Sequence, residues 1–271
     1  HNACTVFEVL QQNYSIAKKF LPLITSQSAK NPLGANELKL KNDGDLQVYY
    51  APFDYIETKA RLVFVGITPG LTQATNALQA AYAALQAGKT IPDTLAIAKR
   101  TASFSGGAIR RNLVDMLDVI GAAKYLGVQS TAQMFDPSAR DVHFTSALRY
   151  PVFKNGKNYN GTPNIAKTPI LKNMVKTHLA EEAAILSTAL WLPLGNHAAQ
   201  AVLHLTNEGI LDKRRVLTGM PHPSGANAER VAVFLGRKDP SKVSNKTNPQ
   251  KLLAARQRLA SQITKLEGMA S

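Results

Sequence analysis

Short apolar blocks alternate with polar, Gly- and Pro-punctuated stretches along this chain. Arg61-Leu-Val-Phe-Val65 is a compact apolar run of the kind buried in a parallel sheet. Gly66-Ile67-Thr68-Pro69-Gly70 breaks it, and the Ala-, Leu- and Gln-rich stretch 71–87 predicts a strong helix. A loop at 101–107 leads into an amphipathic helix over 108–120. Residues 142–148 predict a second strand, 168–187 a helix, 189–194 a third strand and 196–206 another helix. A fourth strand is expected at 215–219, a turn at 222–227 and a last helix at 248–266. Near the N-terminus, 6–20 reads as helical and 21–42 as a polar connection. Strands alternating with helices predict a parallel sheet covered on both faces, with right-handed crossovers and ligands at the carboxyl ends of the strands. With no internal repeat and no clear linker, one domain over 1–240 with a basic helical tail over 241–271 is the expected organisation.

Composition narrows the partners. The 271 residues are 45% hydrophobic, enough for a real core, and carry a formal net charge of +14. Such a surface favours polyanions, phosphate backbones above all. Residues 151–176 hold Lys154, Lys157, Lys167, Lys172 and Lys176 with no Asp or Glu, and Phe153 and Tyr159 stand beside them, a mixture suited to tracking a nucleic-acid strand. The tail from Lys242 onward is also basic, with Glu267 its lone acid, and reads equally as a solvated segment. The single cysteine, Cys4, excludes an internal disulfide framework, a four-cysteine zinc site and an all-cysteine iron–sulfur cluster. The longest mostly apolar stretch, 183–194, is too short to span a bilayer and contains Pro193, so no membrane partner is expected. No secretory signal pattern opens the sequence at His1-Asn2-Ala3, and a cytoplasmic location is expected.

Two loops after predicted strands hold candidate chemistry. In Gly66-Ile67-Thr68-Pro69-Gly70, two glycines and a proline let the backbone turn sharply and approach a ligand, ahead of a helix N-terminus that favours an anion. An ordinary strand-to-helix turn is the plainer account of this pentapeptide taken alone. It has neither the Gly-Lys-Ser/Thr of a phosphate-binding loop nor the glycine spacing of a dinucleotide fingerprint. In Gly219-Met-Pro-His222-Pro223-Ser224-Gly225-Ala226-Asn227, two prolines fix the backbone on either side of His222. A histidine so held donates a short hydrogen bond to an oxygen that becomes negative during bond cleavage. A proline-rich turn with an incidental histidine is the alternative.

Taken in order, these loops resemble the motifs of the uracil-DNA glycosylase superfamily. Gly66 to Gly70 is similar to its Gly-x-x-Pro-Gly/Tyr loop, and His222-Pro223-Ser224 to its His-Pro-Ser motif. Ser103-Phe104-Ser105 with Arg111-Asn112-Leu113 resembles the segment that holds an aromatic ring against the base. Leu194-Gly195-Asn196-His197-Ala198-Ala199 resembles the third strand and its helix start, and 149–169 the basic connection after the second strand. The likeness covers about 61–237. It implies a three-layer α/β/α sandwich with a four-stranded parallel sheet, and an enzyme that flips a deaminated or damaged base out of DNA and hydrolyses its N-glycosidic bond. By the same resemblance, His222 and Thr68 are catalytic, the first stabilising the departing base and the second holding water. Gly66, Ile67, Phe104 and Ser146 contact the base, Phe104 as the stacking platform. Ser224, Gly225, Ala226 and Asn227 press toward the minor groove, and Lys154, Lys157 and Lys167 meet the DNA backbone. DNA is the implied partner, no metal or other cofactor is implied, and a monomer is expected.

The sequence also departs from the family pattern. Several branches carry Asp, Asn or Glu in the first motif, where this chain has Ile67 and Thr68, and a threonine hydroxyl cannot act as a base near neutral pH. An Asp that another branch carries after its Phe-x-Gly segment corresponds to Gly107, and the second-strand Asn that reads uracil is replaced by Ser146 or Thr145. The loop after His-Pro-Ser offers Gly225 and Ala226 and no large wedge. A catalytically weak or inactive nucleic-acid-binding relative is therefore the alternative, and a hydrolase or binder of small nucleotides or nucleosides a third reading. The remaining candidates have plainer roles. His197 and His204, seven apart, suit one helical face with Glu208 four further on, where a metal site would need another convergent ligand; His143 and Trp191 suit the core, and His178, Asp115 and Asp118 suit exposed helix faces.

Overall fold

The computed structural model describes residues 14–103, 107–136 and 138–270. Among these, the strands are β1 (Lys39–Asp43), β2 (Leu46–Tyr49), β3 (Leu62–Gly66), β4 (Val142–Ser146), β5 (Val152–Lys154), β6 (Lys157–Asn158) and β7 (Leu190–Pro193). The main helices are α1 (Leu71–Gln86), α2 (Ile91–Ala102), α3 (Gly107–Val119), α4 (Pro169–Met174, a π-helical turn Val175–Leu179, then Ala180–Ile185), α5 (Asn196–Asn207), α6 (Ala228–Phe234) and α7 (Pro249–Ala270). Contacts divide the described chain into two units. One takes the segments up to Thr58, Gly66–Ser103 and Thr145–Ile185, and the other takes Lys59–Val65, the stretch ending at Phe144, and Leu186 onward.

The second unit is built on the apolar run 61–65. Leu62, Val63, Phe64 and Val65 have no exposed surface, as expected for a strand covered on both faces. β3 is the middle strand of the order β4–β3–β7 and pairs in parallel with β7. Phe64 stacks on Phe144 at 5.2 Å, and Leu113, Met116 and Leu117 of α3 pack against the same cluster. Leu259, Ile263 and Leu266 of α7 join it at helical spacing, so the basic C-terminal segment presents an apolar stripe to the core.

The expected fourth strand at 215–219 is reduced to one parallel bridge, Trp191 to Val216, with Leu217 N donating to Trp191 O at 2.8 Å. Side chains of α7 occupy its other edge. Gln262 Nε2 donates to the carbonyls of Arg214 (2.8 Å) and Val216 (2.9 Å), and Arg258 Nη2 to that of Thr218 (2.9 Å). Arg214 lies in the 3-10 turn Lys213–Arg215, and the carbonyls of Val216 and Thr218 beyond it alternate along the chain, so α7 caps an edge that would otherwise be open to pairing.

The first unit holds a second, antiparallel sheet in the order β1–β2–β5–β6, which the hydrophobic pattern does not announce. β1 reads Lys-Leu-Lys-Asn-Asp and β6 is two residues long, so pairing rather than apolar alternation forms them. Helix α2 was likewise outside the predicted elements, since Thr94 and Lys99 lie on its buried face. Thr90 caps it, accepting from Asp93 N at 3.2 Å.

Candidate active site

The first loop leaves β3 inside the first unit. Ala147 N donates to Gly66 O at 2.8 Å and Leu148 N to Ile67 O at 2.9 Å, so the loop stays zipped to the segment that follows β4. Thr68 Oγ1 donates to Tyr150 O (3.3 Å) and accepts from Val152 N (3.1 Å). Its hydroxyl therefore ties two backbone groups together and keeps one lone pair for any further partner. Gly70 N donates to Gln73 Oε1 at 3.1 Å and Leu71 N to Asn158 Oδ1 at 2.9 Å, so side chains already satisfy the two leading amides of α1. A Cβ at Gly70 would stand 3.1 Å from Asn158 Nδ2, which favours glycine at this close approach. Gly66, Ile67, Thr68 and Ser146 are half-buried, at the carboxyl ends of β3 and β4.

The second loop belongs to the second unit. Gly219 has φ +101°, and a Cβ there would meet Arg258 Nη2 at 2.5 Å and Ala255 Cβ at 3.2 Å, so glycine lets the chain turn beneath α7. Met220, Pro221 and Pro223 are buried and His222 is half-buried. Asn112 Nδ2 of α3 donates to Pro223 O at 2.8 Å, fixing the loop from a distance of 111 residues in sequence. Ser224 N donates to His222 Nδ1 at 3.2 Å. An Nδ1 that accepts must hold its lone pair, so the neutral ring carries its proton on Nε2. Burial lowers the His222 pKa from its ordinary value and favours this neutral form. Beyond it, Gly225–Asn227 is a 3-10 turn with Gly225 and Ala226 exposed, and Arg230 Nη1 donates to Asn227 Oδ1 at 2.8 Å.

The expected site residues thus form two sets, one in each unit, and Phe104 lies outside the described residues. Lys154 and Lys157 stand on the β5–β6 hairpin, whose turn residues Asn155 and Gly156 both have positive φ, and Lys167 ends a 3-10 turn. Two readings of neighbouring side chains need correction. Phe153 and Tyr159 are buried, at 0% and 4% exposure, so neither offers a stacking surface; strand pairing turns Phe153 inward, and the Tyr159 hydroxyl donates to Pro163 O. His178 does not lie on an exposed helix face: its ring packs edge-on against Tyr150 and its Nδ1 stands 3.4 Å from Arg149 Nη1. Trp191 is fully buried and donates to Leu186 O at 2.9 Å. Asp118 accepts from Ser130 Oγ, Thr131 N and Thr131 Oγ1, a structural clamp. Among the described residues no three His, Cys, Asp or Glu side chains are grouped as a metal site, and no helix is long and apolar enough to cross a membrane.

The family model of the uracil DNA glycosylase superfamily matches residues 53–248, which include both loops. The chain belongs to this superfamily. It is also 36% identical over 233 residues to the uncharacterized protein YoxB of Bacillus subtilis (strain 168), a match covering 84% of this chain and 91% of that protein. No solved structure matches the chain significantly. As a member of the uracil DNA glycosylase superfamily the chain has the family's α/β fold, with helices layered on a parallel sheet, and glycosylase chemistry on DNA in the context of repair is its function at the level of the family. Helix α7 begins where the family match ends, although its side chains hold the segment that leads into the His222 loop. Asn158 and Arg258 are positioning residues that the sequence reading did not single out, and Asn112, quoted there only within its motif, holds Pro223 O. Their partners are remote in the chain, and local pattern carries no trace of them.

Proposed function

We propose that this superfamily member is a DNA glycosylase that hydrolyses the bond between deoxyribose and a flipped-out deaminated or damaged base, in base excision repair. The observation that carries this reading is His222, flanked by Pro221 and Pro223, whose Nδ1 accepts from Ser224 N and so leaves the ring proton on Nε2. In the reaction the C1′–N bond breaks and its electron pair leaves with the base, while the sugar becomes oxocarbenium-like. The His222 Nε2–H donates to the base oxygen on which the negative charge collects, and a preorganised donor of this kind supplies on the order of 3–4 kcal/mol. Water then adds to C1′ and loses its proton to solvent. Thr68 is the proposed water-holding residue, walled by Gly66 and Ile67, and Gly66, Ile67, Phe104 and Ser146 are the proposed base contacts. Ser224 to Asn227, Lys154, Lys157 and Lys167 are the proposed DNA contacts.

A second reading has its own support. The first motif holds no carboxylate, and the Thr68 hydroxyl is engaged by Tyr150 O and Val152 N. A relative that binds lesion-bearing DNA and cuts it weakly or not at all fits these facts. Single- and double-stranded oligonucleotides bearing uracil, hypoxanthine or xanthine separate the two. The glycosylase leaves alkali-labile abasic sites, and His222→Ala slows their formation by at least about tenfold. Binding to the same oligonucleotides with no cleavage at high enzyme excess would establish the second reading instead.

A further inference from the structure

Five lysines stand on residues 151–176 with no acidic residue among them, and three of the five share one surface feature. Ala166, Lys167, Pro169, Lys172, Asn173 and Lys176 line an open groove of about 470 Å³ in the first unit. Lys167 and Lys176 are exposed and Lys172 is half-buried. Among the described residues none of the three ammonium groups is paired with a carboxylate.

The groove is held by ordered structure rather than by a loose loop. Asn164 Oδ1 accepts from Lys167 N at 3.2 Å, and Thr168 Oγ1 donates to Asn164 O at 2.7 Å. Pro169 opens α4, and Ile165, Leu171, Met174 and Val175 anchor the segment in the interior. Lys172 and Lys176 are four residues apart on α4, so they stand on one face. Three like charges gathered in a concavity without counter-charge repel one another, and a polyanion lying along them relieves that repulsion.

The lining also selects among polyanions. Among the described residues the exposed large apolar ones are Leu23, Leu71 and Met269, none of them in the groove, so its described lining has nothing to enter the acyl region of a membrane. Among the described residues no aromatic ring lines it, and Phe153 and Tyr159 nearby in sequence are buried, so its described lining offers no platform for stacked bases. We infer that the Lys167–Lys172–Lys176 groove binds the phosphodiester backbone of DNA without regard to base sequence, as a contact beyond the base-handling loops. The choice of DNA rests on the functional reading above, but the test needs no cleavage.

The experiment measures binding of undamaged, fluorescently labelled oligonucleotides of different sequence by the full chain across a range of salt concentrations. For duplex, each phosphate contact contributes a slope of about −0.9 in log K against log salt. Lys167→Gln/Lys172→Gln/Lys176→Gln is expected to weaken binding roughly tenfold or more and to flatten the slope by about two to three units, equally for all sequences. Lys167→Gln/Lys176→Gln, which leaves the half-buried position intact, flattens it by about two. Lys18→Gln/Lys30→Gln/Lys89→Gln removes the same charge from exposed positions elsewhere in the unit and leaves the slope nearly unchanged. An unchanged slope in the groove variants with intact thermal unfolding overturns the inference. So does an equal loss in the control, or a loss seen only with vesicles containing phosphatidylserine. Lesion cleavage with an unaffected slope would remove the groove and keep the glycosylase. Groove-dependent binding without any cleavage would keep the groove and remove the glycosylase.

Discussion

Protonation decides what His222 can do. Its Nδ1 lies 3.2 Å from Ser224 N, and a proton on Nδ1 would set two donors against each other there. Burial already depresses the pKa below the ordinary histidine value, so the ring stays neutral at physiological pH with its proton on Nε2. If the neutral ring is the working form, base release holds level through neutral and mildly alkaline pH and falls in acid solution as His222 protonates. Single-turnover formation of abasic sites against pH checks this, and a rate that rises on acidification would make the imidazolium the active species. The pair of prolines that clamps the ring was legible in the sequence, because proline restrains the backbone locally. The grip of Asn112 on Pro223 O was not, since only the fold brings residues so far apart in sequence together.

Elements with a strong apolar period were legible for the same reason: β3, β7, α1, α3 and α5 each bury a face that the sequence marks. β1, β6 and α2 were not, because polar residues form their pairing or buried positions. Helix α7 carries both lessons. Its period predicts a helix, yet its charge suggests a solvated tail, and its stripe of Leu259, Ile263 and Leu266 instead closes the second unit's core. Full burial of three such side chains contributes about 5–9 kcal/mol, comparable to the net stability of a whole domain. The same helix presses on the turn before His222, where Arg258 donates to Thr218 O and would collide with any side chain at Gly219. Gly219→Ala is expected to cost about 1–3 kcal/mol from its positive φ and this contact. Arg258→Ala removes the collision along with the hydrogen bond, so the double variant should lose about 1 kcal/mol less than the two single losses combined. Urea denaturation of the four proteins measures the coupling, and strict additivity would show that α7 does not constrain the turn.

At the scale of the whole molecule the net charge of +14 speaks to partners, while a neutral set of buried charges shapes the response to pH. In the first unit Asp54 and Glu182 are buried with Arg149 and Lys99. Tyr50 and Tyr150 donate to the two oxygens of Asp54, Arg149 Nη2 lies 3.3 Å from Glu182 Oε2, and Lys99 Nζ donates to Phe53 O at 3.0 Å. Burial pushes Lys99 down to about 8; Arg149 adds to that fall, and Glu182 and Asp54 oppose it. His178 completes the cluster. Burial, then the nearby Arg149 charge, lowers its pKa to about 4, against the opposing pull of Glu182. The unfolded chain therefore binds a proton near pH 6.5 that the folded chain refuses until about pH 4, and stability is lost as pH falls through that interval. From pH 7 to 5 the loss attributable to this ring is about 2 kcal/mol. Asp54 has a pKa raised by burial, which acts in the opposite sense, so comparison with a variant that lacks the ring but keeps Asp54 isolates the histidine. His178→Asn keeps an acceptor for the Arg149 guanidinium and removes the titration. Its unfolding free energy should change by about 2 kcal/mol less than that of the unsubstituted protein between pH 7 and 5. Parallel pH profiles for the two proteins would mean that His178 is protonated as readily in the folded chain as in the unfolded one.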